Sequence, residues 1–388
     1  MFAKRTNWRI RSGALACSLA ATRASGQPLV DLSESNPTAC SFAYLQPSVL
    51  APLTNPAALR YNPDPRGMIE ARQSIAAYYS ARGVQADPDH IFITSGTSEA
   101  YGFLFRLLLD PGERILVPRP SYPLLDVLAD LHDVQLIPYL MHYDGLWWTD
   151  LDTVEAALDP SVRALFTVSP NNPTGSCLRK QEQDRLVCVA HAHGAAIIAD
   201  EVFGDYVYTD DSSHAATMAS SSKALTFTCS GISKILGLPQ MKIGWILVGG
   251  PDDLASEACR RLEVIADTYL SANTPVQCAL AAWFARRASI QAEIMERTRG
   301  NLASLRSLLA GSRTEPLHVD GGWTAVIRLP RTRTEEEWLI ALLDKDRVLL
   351  DPGQFYGFDQ DGYAVLSLLP PPDVFREGIG RLAERLER

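Results

Sequence analysis

Short apolar runs alternate with longer stretches of helical pattern through the first two-thirds of the chain. The runs are rich in β-branched residues, which predicts buried strands, and the apolar residues between them recur at helical spacing. The predicted strands are Ile91–Thr94, Ile115–Val117, Ala164–Val168, Ala196–Ala199, Ala224–Thr228 and Trp245–Val248, and the predicted helices include Met68–Ala81, Ser98–Leu109 and Gln181–Ala192. Strand–helix alternation of this kind predicts an α/β fold with a largely parallel sheet and helices on both faces.

The pattern changes after about residue 252, where long helical stretches precede a short strand. This change predicts a second, smaller α+β domain. The predicted elements after residue 252 are helices at Asp253–Tyr269 and Pro275–Leu309, a strand near Trp323–Leu329, and helices near Glu335–Leu343 and Phe375–Leu386. The first 45 residues lack the alternation, and we expect them to pack on the smaller domain. The predicted division is an N-terminal segment, 1–45, a large domain, 46–270, and a small domain, 271–388.

The composition is that of a globular protein, with 46% apolar and 21% charged residues among 388. A net charge of −9 disfavours binding to nucleic acid or to an anionic membrane as the main function. No apolar run approaches the roughly 18 residues of a membrane-spanning helix. We therefore expect neither a nucleic-acid partner nor a membrane partner.

The seven cysteines are an odd number, widely scattered, with neither a CxxC pair nor ligand-like spacing to the histidines. This pattern predicts reduced thiols in a cytoplasmic protein, with no disulfide framework and no metal site.

Four basic residues near the N-terminus precede the small-residue run Gly13–Ala21, an arrangement with a weak likeness to a targeting segment. They are Lys4, Arg5, Arg9 and Arg11. The run is short and is interrupted by Ser18, so a helix packed on the body of the protein is the preferred interpretation.

Polar residues follow several predicted strands, at the edge where parallel α/β sheets bind their ligands. Gly96, Thr97 and Ser98 open a helix directly after the strand Ile91–Thr94. Free backbone N–H groups and the helix dipole make such a terminus an anion site, and the hydroxyls add donors. An ordinary Ser/Thr N-cap is the alternative interpretation.

Two further strand ends carry an amide and a carboxylate. Asn172 lies in the turn Ser169–Gly175, which its prolines and glycine make rigid, and would present an amide to the same edge. Asp200 directly follows an apolar strand, where a carboxylate is costly without a cationic partner. The alternatives are a plain Asn-Pro turn and a carboxylate that caps the next turn.

Lys234, one of only six lysines, follows the strand Ala224–Thr228 and has the apolar neighbours Ile232 and Ile235. Desolvation in an apolar environment would lower the pKa of its amine and make it a usable nucleophile. A surface lysine is the alternative.

Together the four strand ends supply a phosphate cradle, an amide, a buried carboxylate and a lysine amine. A pyridine aldehyde phosphate needs these four groups. The lysine forms a Schiff base with the aldehyde, the carboxylate keeps the ring nitrogen protonated so that the ring acts as an electron sink, and the amide binds the ring hydroxyl. The sequence therefore predicts a pyridoxal 5'-phosphate site.

In order and spacing these residues resemble the fold-type I pyridoxal-phosphate enzymes, specifically the class I/II aminotransferases. The matching residues are Gly96, Asn172 in Asn-Pro-Thr-Gly, Asp200 in Asp-Glu-Val, Lys234 in Ser-Lys, and Gly244-Trp245. The resemblance implies an aspartate aminotransferase-like fold, with a mostly parallel seven-stranded sheet between helices in the large domain. It also implies a homodimer that transfers an amino group from a small-molecule amino donor to a 2-oxo acid, with active sites at the subunit interface.

The resemblance assigns further roles residue by residue. Tyr122 matches the aromatic residue that stacks on the pyridine ring and is a candidate catalytic residue, and Tyr61 matches a tyrosine that reaches the phosphate of the partner subunit. A plain core residue is the alternative for Tyr122, and a loop anchor is the alternative for Tyr61. Lys242 stands where the family usually has a phosphate-binding arginine, and would neutralise phosphate as a point charge. Gly231 holds the position of the family's phosphate-contacting serine, and Ser230 and Ser233 are the candidates to replace that serine.

Two departures from the family pattern concern the ring hydroxyl and the substrate. Phe203 replaces a tyrosine that donates to the ring hydroxyl, which leaves Asn172 as the main donor. Val365 stands where the family carries its substrate-carboxylate arginine, so ordinary α-amino acid binding is in question. Arg328 is the first candidate to replace that arginine, and Arg23 is another. Trp323, Tyr44 and Phe355 are candidates to line an apolar substrate pocket, and a place in the core is the alternative for each.

Amino transfer is the preferred interpretation of the whole pattern. Because of Val365, a pyridoxal-phosphate-dependent lyase, decarboxylase or cyclase acting on an amino acid stays open as an alternative. A non-catalytic cofactor-binding regulator is disfavoured, because the N-terminal segment is too short for an added DNA-binding domain.

Overall fold

The computed structural model describes residues 2–8 and 13–387, and its largest element is an eight-stranded sheet. The strands of all the sheets, numbered along the chain, are β1 (Val30–Asp31), β2 (Ile91–Thr94), β3 (Arg114–Arg119), β4 (Gln135–Tyr143), β5 (Trp147–Thr149), β6 (Val162–Val168), β7 (Ala196–Asp200), β8 (Thr226–Gly231), β9 (Gly244–Gly249), β10 (Thr324–Arg328), β11 (Val348–Leu349), β12 (Asp351–Pro352) and β13 (Tyr363–Ser367). The order across the large sheet is β2–β9–β8–β7–β6–β3–β4–β5.

Six of the eight strands run in one direction, and only β5 and β9 oppose them. This confirms the predicted α/β fold with a mostly parallel sheet. The strand beyond the expected seven is β5, which pairs antiparallel with the end of β4 at the sheet edge. With three residues, it is too short to show a periodic pattern.

Helices cover both faces of the sheet. The α-helices in the described part of the whole chain are α1 (Ala14–Ala24), α2 (Ile69–Ser80), α3 (Thr97–Leu108), α4 (Leu124–Leu131), α5 (Leu151–Ala157), α6 (Lys180–His193), α7 (Ile232–Ile235), α8 (Asp252–Tyr269), α9 (Thr274–Ala285), α10 (Arg287–Leu309), α11 (Glu335–Ala341) and α12 (Pro372–Glu387). Alternate side chains of the strands enter two different apolar cores: Ile91 and Ile93 of β2 lie in one, and Phe92 lies in the other. Burial on both faces explains why the strands read as continuous apolar runs.

The structure differs from the sequence prediction at two element boundaries. The predicted helix Pro275–Leu309 is two helices, because Arg286 between them has φ −95° and ψ 0°, outside the helical range. Strand β8 begins and ends later than predicted and continues to Gly231, which pairs with Gly244 of β9. A Cβ on Gly231 would lie 2.8 Å from the carbonyl oxygen of Ile243, so the strand passes here only without a side chain.

A second sheet lies in the C-terminal part of the chain, with the order β10–β13–β12 and both pairs antiparallel. One face packs into a core with α10 and α12, through residues such as Ile327 and Leu366. The opposite face carries Val365, which lies between Val326 and Asp351 in the ladder. Side chains of directly paired residues share a face, so these three belong to one surface.

The N-terminal segment contacts this C-terminal part of the chain. Helix α1 packs on α11, β1 pairs with β11, and the Arg347 guanidinium donates to Thr22 Oγ1 at 3.2 Å. These contacts agree with the expected packing of the segment, whereas the domain boundaries stay a prediction. Arg9 and Arg11 lie outside the described residues. Within residues 2–8 and 13–387, no helix has both the length and the apolar character needed to cross a membrane.

Candidate active site

A cavity of about 200 Å³ opens at the carboxyl ends of β6, β7 and β8, beside the start of α3. Seven of the residues predicted for the cofactor site line it: Thr97, Ser98, Tyr122, Asn172, Asp200, Ser233 and Lys234. They come from segments far apart in the chain. Parallel pairing of the central strands brings these segments to one edge, as expected for ligand sites of such sheets.

Lys234 lies in the short helix α7, three residues after the end of β8. Its amine lies near two aromatic rings, with Nζ 5.1 Å from the ring centroid of Trp323 and 5.6 Å from that of Phe203. Burial lowers the pKa of this amine from 10.5 to about 8, against a smaller opposing effect of the Asp200 carboxylate. The neutral, nucleophilic form is therefore populated at pH values where an exposed lysine stays charged.

Asp200 ends β7, and its carboxylate is held by two hydrogen bonds. The Tyr101 hydroxyl donates to Oδ2, and the backbone N–H of Val202 donates to Oδ1 at 3.0 Å. Burial raises the pKa of the carboxyl, and the two hydrogen bonds oppose that effect. In the described part of the chain Asp200 makes no salt bridge. A cationic group of a ligand would complete this environment.

The start of α3 provides the predicted anion site. Gly96 precedes the helix, and Thr97 and Ser98 form its first turn and line the cavity. Gly244 of β9 passes so close that a Cβ there would lie 2.9 Å from the carbonyl carbon of Gly96. Free N–H groups of the first turn, together with the two hydroxyls, can hold a phosphate.

Two polar atoms at the cavity lack partners. Asn172 Oδ1 and Ser121 Oγ are both buried and make no hydrogen bond within the described residues. Both residues line the cavity. Buried polar atoms are seldom left unpaired, so these two indicate a polar ligand. A phosphate site, a carboxylate without a cation, a lysine and unpaired polar atoms fit pyridoxal phosphate.

Tyr122 also lines the cavity and is about half-exposed. Burial and the nearby Asp200 carboxylate raise the pKa of its hydroxyl. The hydroxyl is therefore neutral at physiological pH and able to donate a hydrogen bond.

Two residues assigned by the resemblance do not line this cavity. Lys242 is exposed and has a left-handed backbone conformation, with φ +54°. Tyr61 is 84% exposed and lines a different surface cavity, beside Met68 and Asn273. Within a single described chain, the structure therefore does not bring either side chain to the predicted phosphate cradle.

Sequence reasoning missed the immediate partners of Lys234 and Asp200. Tyr101 lies four residues after Thr97 in α3, and this spacing alone could have placed it on the cavity side of the helix. Phe203 and Trp323 were noted for other reasons, and the structure adds their contacts with the lysine amine. Trp323 comes from the segment before β10, and no local pattern indicates this contact.

The substrate-binding candidates are widely dispersed. Val365 is buried with Val326 and Tyr356 in an apolar cluster and does not line the cavity. Arg328 stacks on Tyr363 at the exposed end of β10, with its guanidinium 5.6 Å from the ring centroid, so the structure does not support it as the replacement clamp.

Of the four other substrate-binding candidates, only one lines the cavity. Trp323 lines the cavity, whereas Tyr44 is a core residue that donates to the Gly237 carbonyl at 2.9 Å. Phe355 is exposed on the surface, and Arg23 is exposed on α1. Neither of these two lines the cavity.

Comparisons with known proteins agree with this geometry. The glutamate-pyruvate aminotransferase AlaA of Haemophilus influenzae is 26% identical over 370 residues, which cover 93% of this chain and 91% of that protein. A crystal structure of an aminotransferase from Escherichia coli superimposes with a TM-score of 0.88 at 25% identity, covering 100% of this chain and 98% of the other. An alanine aminotransferase from Pyrococcus furiosus superimposes with a TM-score of 0.89 at 22% identity, covering both chains completely.

These likenesses confirm the predicted aspartate aminotransferase-like, fold-type I architecture. The family model described as aminotransferase class I and II matches residues 50–369, which include every residue that the four strand ends contribute to the cavity. The chain therefore belongs to the class I and II aminotransferases.

Proposed function

We propose that the protein transfers an amino group from an amino acid or related amine to a 2-oxo acid, with pyridoxal 5'-phosphate bound in the cavity described above. The observation that carries the proposal is the presence in one cavity of a lysine amine with a lowered pKa and a buried carboxylate that lacks a cation. The names of the relatives, which are aminotransferases, support the same reaction.

Each residue has a definite task in this proposal. The bound cofactor supplies an electron sink for the bonds at the substrate carbon. Lys234 holds the cofactor covalently and, once released, moves the proton at that carbon. Asp200 holds the positive charge on the ring nitrogen, Thr97 and Ser98 bind the phosphate with Ser233, and the Asn172 amide meets the ring hydroxyl.

Tyr122 lines the cavity and would stack on the cofactor ring, as the resemblance implies. Lys242 and Tyr61 can act as phosphate ligands only if they reach the cavity of a second subunit or if their side chains move. Exposure of Tyr61 on a surface away from its own chain's cavity supports the first route. On that basis we also propose a homodimer.

The division into segments 1–45, 46–270 and 271–388 is part of the proposal, and the large sheet and the C-terminal sheet fall on opposite sides of residue 270. A cytoplasmic location is proposed as well. It is supported by seven free cysteines, since thiols stay reduced in that compartment.

A spectrophotometric titration tests the amino-transfer reaction. Adding an amino donor to the holoenzyme without an oxo acid should convert the bound cofactor to its amine form in a single stoichiometric turnover. Adding a 2-oxo acid should then reverse the absorbance change. Product release with no conversion of the cofactor would indicate the lyase, decarboxylase or cyclase alternative, and no change with any donor would indicate the non-catalytic regulator.

The cavity predicts an unusual substrate preference. Lys234 is the only basic side chain that lines it in the described residues, and Val365 offers no charge. We therefore expect glutamate, aspartate and alanine to be poor donors. Without a charged clamp, alanine should exceed ethylamine, which lacks the carboxylate, by less than about tenfold in kcat/KM, whereas a charge-assisted pair would give about 10- to 150-fold.

Parallel kinetics with alanine and ethylamine, at equal ionic strength, measure that ratio. Efficient turnover of glutamate, or a preference for alanine above about tenfold, would show that another cationic group binds the carboxylate. A ratio below about tenfold would indicate that the natural amino donor carries its negative charge at a position other than the α-carboxylate.

The rate of cofactor binding to the cofactor-free enzyme should rise with pH and level off above about pH 8. The pKa of Lys234 is lowered to about 8, so the neutral fraction of its amine increases about tenfold per pH unit below that value and saturates above it. Stopped-flow absorbance from about pH 7, where the phosphate is already ionised, measures the rate. In a control reaction of the cofactor with Nα-acetyl-lysine, whose side-chain amine is free, the rate should keep rising to about pH 10.4. An equally late plateau for the enzyme would contradict the buried amine.

A further inference from the structure

A second cluster of chemically reactive side chains lies outside the active site, at the edge of a surface cleft. Cys177 follows the turn that carries Asn172, His214 lies in the loop between β7 and β8, and Asp320 precedes β10. One ligand atom from each, the Cys177 Sγ, a His214 ring nitrogen and an Asp320 oxygen, lie within 4.8 Å of one another. The cleft has a volume of about 450 Å³, and Cys177 and His214 line it.

The imidazole of His214 is the unusual member of this cluster. Its side chain is only 8% exposed, yet neither ring nitrogen makes a hydrogen bond within the described residues. Nε2 lies 3.6 Å from Asp320 Oδ1 and 3.6 Å from Asp211 Oδ2, beyond hydrogen-bond distance from either. A buried imidazole with two unpaired nitrogens indicates a missing partner.

Asp320 is held in place by groups that leave it able to bind a cation. Its carboxylate is buried, accepts the backbone N–H of Cys177 at 3.0 Å, and has His318 Nε2 at 2.9 Å. Its salt-bridge contacts among the described residues are the two histidines, with no arginine or lysine. Carboxylates that bind metals are themselves oriented by hydrogen bonds from outer groups, and His318 is placed to orient Asp320 in this way.

We propose that Cys177, His214 and Asp320 bind a zinc ion. Thiolate sulfur, imidazole nitrogen and carboxylate oxygen are the three kinds of ligand that zinc takes in proteins, and a water would fill the fourth tetrahedral position. A hard cation such as Mg²⁺ or Ca²⁺ would not use the sulfur or the imidazole. Binding deprotonates the Cys177 thiol and releases one proton per zinc ion.

The geometry requires only a small adjustment. Ligand atoms about 2.0–2.3 Å from a tetrahedral zinc ion lie roughly 3.3–3.8 Å apart. The three atoms, now within 4.8 Å of one another, need a contraction of about 1.5 Å at most. Asp211 also lies 3.6 Å from His214 Nε2, but it pairs with Arg179 at 3.3 Å, so another group already neutralises its charge.

The zinc ion would join two walls of the active site. The segment before Cys177 carries Asn172, and the segment after Asp320 carries Trp323. The two segments are already linked, because the Asp320 N–H donates to the Gly175 carbonyl at 3.0 Å. The ion would stabilise this junction through its bonds to both segments.

The ligands were not recognisable in the sequence because they lie 37 residues (214 − 177) and 106 residues (320 − 214) apart. Zinc sites are recognised by short spacings between paired ligands, and none is present here. The expectation of no metal site followed from that spacing alone.

Metal analysis of the untagged holoenzyme tests the proposal. After incubation with zinc and gel filtration, elemental analysis should find about one zinc ion per chain. Cobalt in place of zinc should give the near-ultraviolet charge-transfer band of a thiolate ligand. Cys177→Ser should remove that band and weaken zinc binding at least about 100-fold, and His318→Gln should weaken it about 10- to 100-fold.

Cys188→Ser is the matched control, because this cysteine is exposed and lies on α6 away from the cluster. It should keep the full stoichiometry and the cobalt band. His214→Gln should also lose the zinc. It replaces Cys177→Ser as the test if circular dichroism shows that Cys177→Ser is poorly folded. Absence of zinc in the wild type, or equal binding by the wild type and a folded Cys177→Ser variant, would overturn the proposal.

Discussion

Replacing Lys234 with alanine should lower amino transfer by at least about 10⁴-fold and leave the fold intact. The lysine is the only amine that lines the cavity in the described residues, and burial has already lowered its pKa to about 8. Loss of a covalent nucleophile and proton carrier removes two tasks that no neighbouring side chain can perform. The contacts of its backbone carbonyl with the Tyr206 hydroxyl, at 2.8 Å, do not depend on the side chain.

Steady-state kinetics and the absorbance of the bound cofactor measure this effect. Lys223→Ala is the matched control, since Lys223 is exposed and precedes the same strand, β8. It should retain full activity. Borohydride reduction of the wild-type holoenzyme followed by peptide mapping should find the cofactor on Lys234, and a label on any other lysine would refute the assignment.

The position of the active site could be predicted because its residues follow apolar runs that only buried strands explain. Asp200 and Lys234 each come shortly after such a run, and parallel strands present their carboxyl ends at one edge. The side chains that tune these residues could not be predicted in the same way. Trp323 lies 89 residues beyond Lys234 (323 − 234), and its contact with the amine depends on how the second sheet packs against the first.

Side-chain direction limits what a family resemblance can predict. Lys242 occupies a position that the resemblance assigns to phosphate binding, but its backbone turns left-handed and its side chain is exposed. Val365 likewise occupies the expected strand, and the structure adds that the ladder places Asp351 beside it. Burial raises the pKa of Asp351 to about 6, and the Tyr356 hydroxyl bonds to it at 3.0 Å. An acidic group therefore lies next to the position where a basic one was expected.

Replacing Asp200 with asparagine should reduce kcat by about 10²–10³-fold but weaken cofactor binding only about tenfold. The side chain keeps its size and loses its charge. That charge matters most when the reaction draws electrons into the protonated ring, so its removal affects the rate more than ground-state binding. Kinetics at saturating cofactor and a separate binding titration distinguish the two effects.

Glu201→Gln is the control for a buried carboxylate. Glu201 follows Asp200 directly, but it accepts the Thr217 hydroxyl at 2.6 Å and faces the other cleft. Its replacement should lower the free energy of unfolding by about 1–3 kcal/mol and leave the ratio of turnover to cofactor affinity unchanged. Near-normal turnover of Asp200→Asn with cofactor bound would show that Asp200 only caps a turn.

Tyr101→Phe separates the charge of Asp200 from its position. Burial raises the pKa of the Asp200 carboxyl, and the hydrogen bond from the Tyr101 hydroxyl lowers it. Loss of that hydrogen bond in Tyr101→Phe therefore raises the pKa of Asp200 further. A carboxyl with a higher pKa loses its charge sooner as the pH falls. The acid limb of the kcat profile should therefore move to higher pH in Tyr101→Phe, while kcat at alkaline pH stays close to the wild-type value. A uniform loss of kcat at every pH would instead show that the tyrosine acts by packing, since a purely structural defect does not depend on whether Asp200 is ionised.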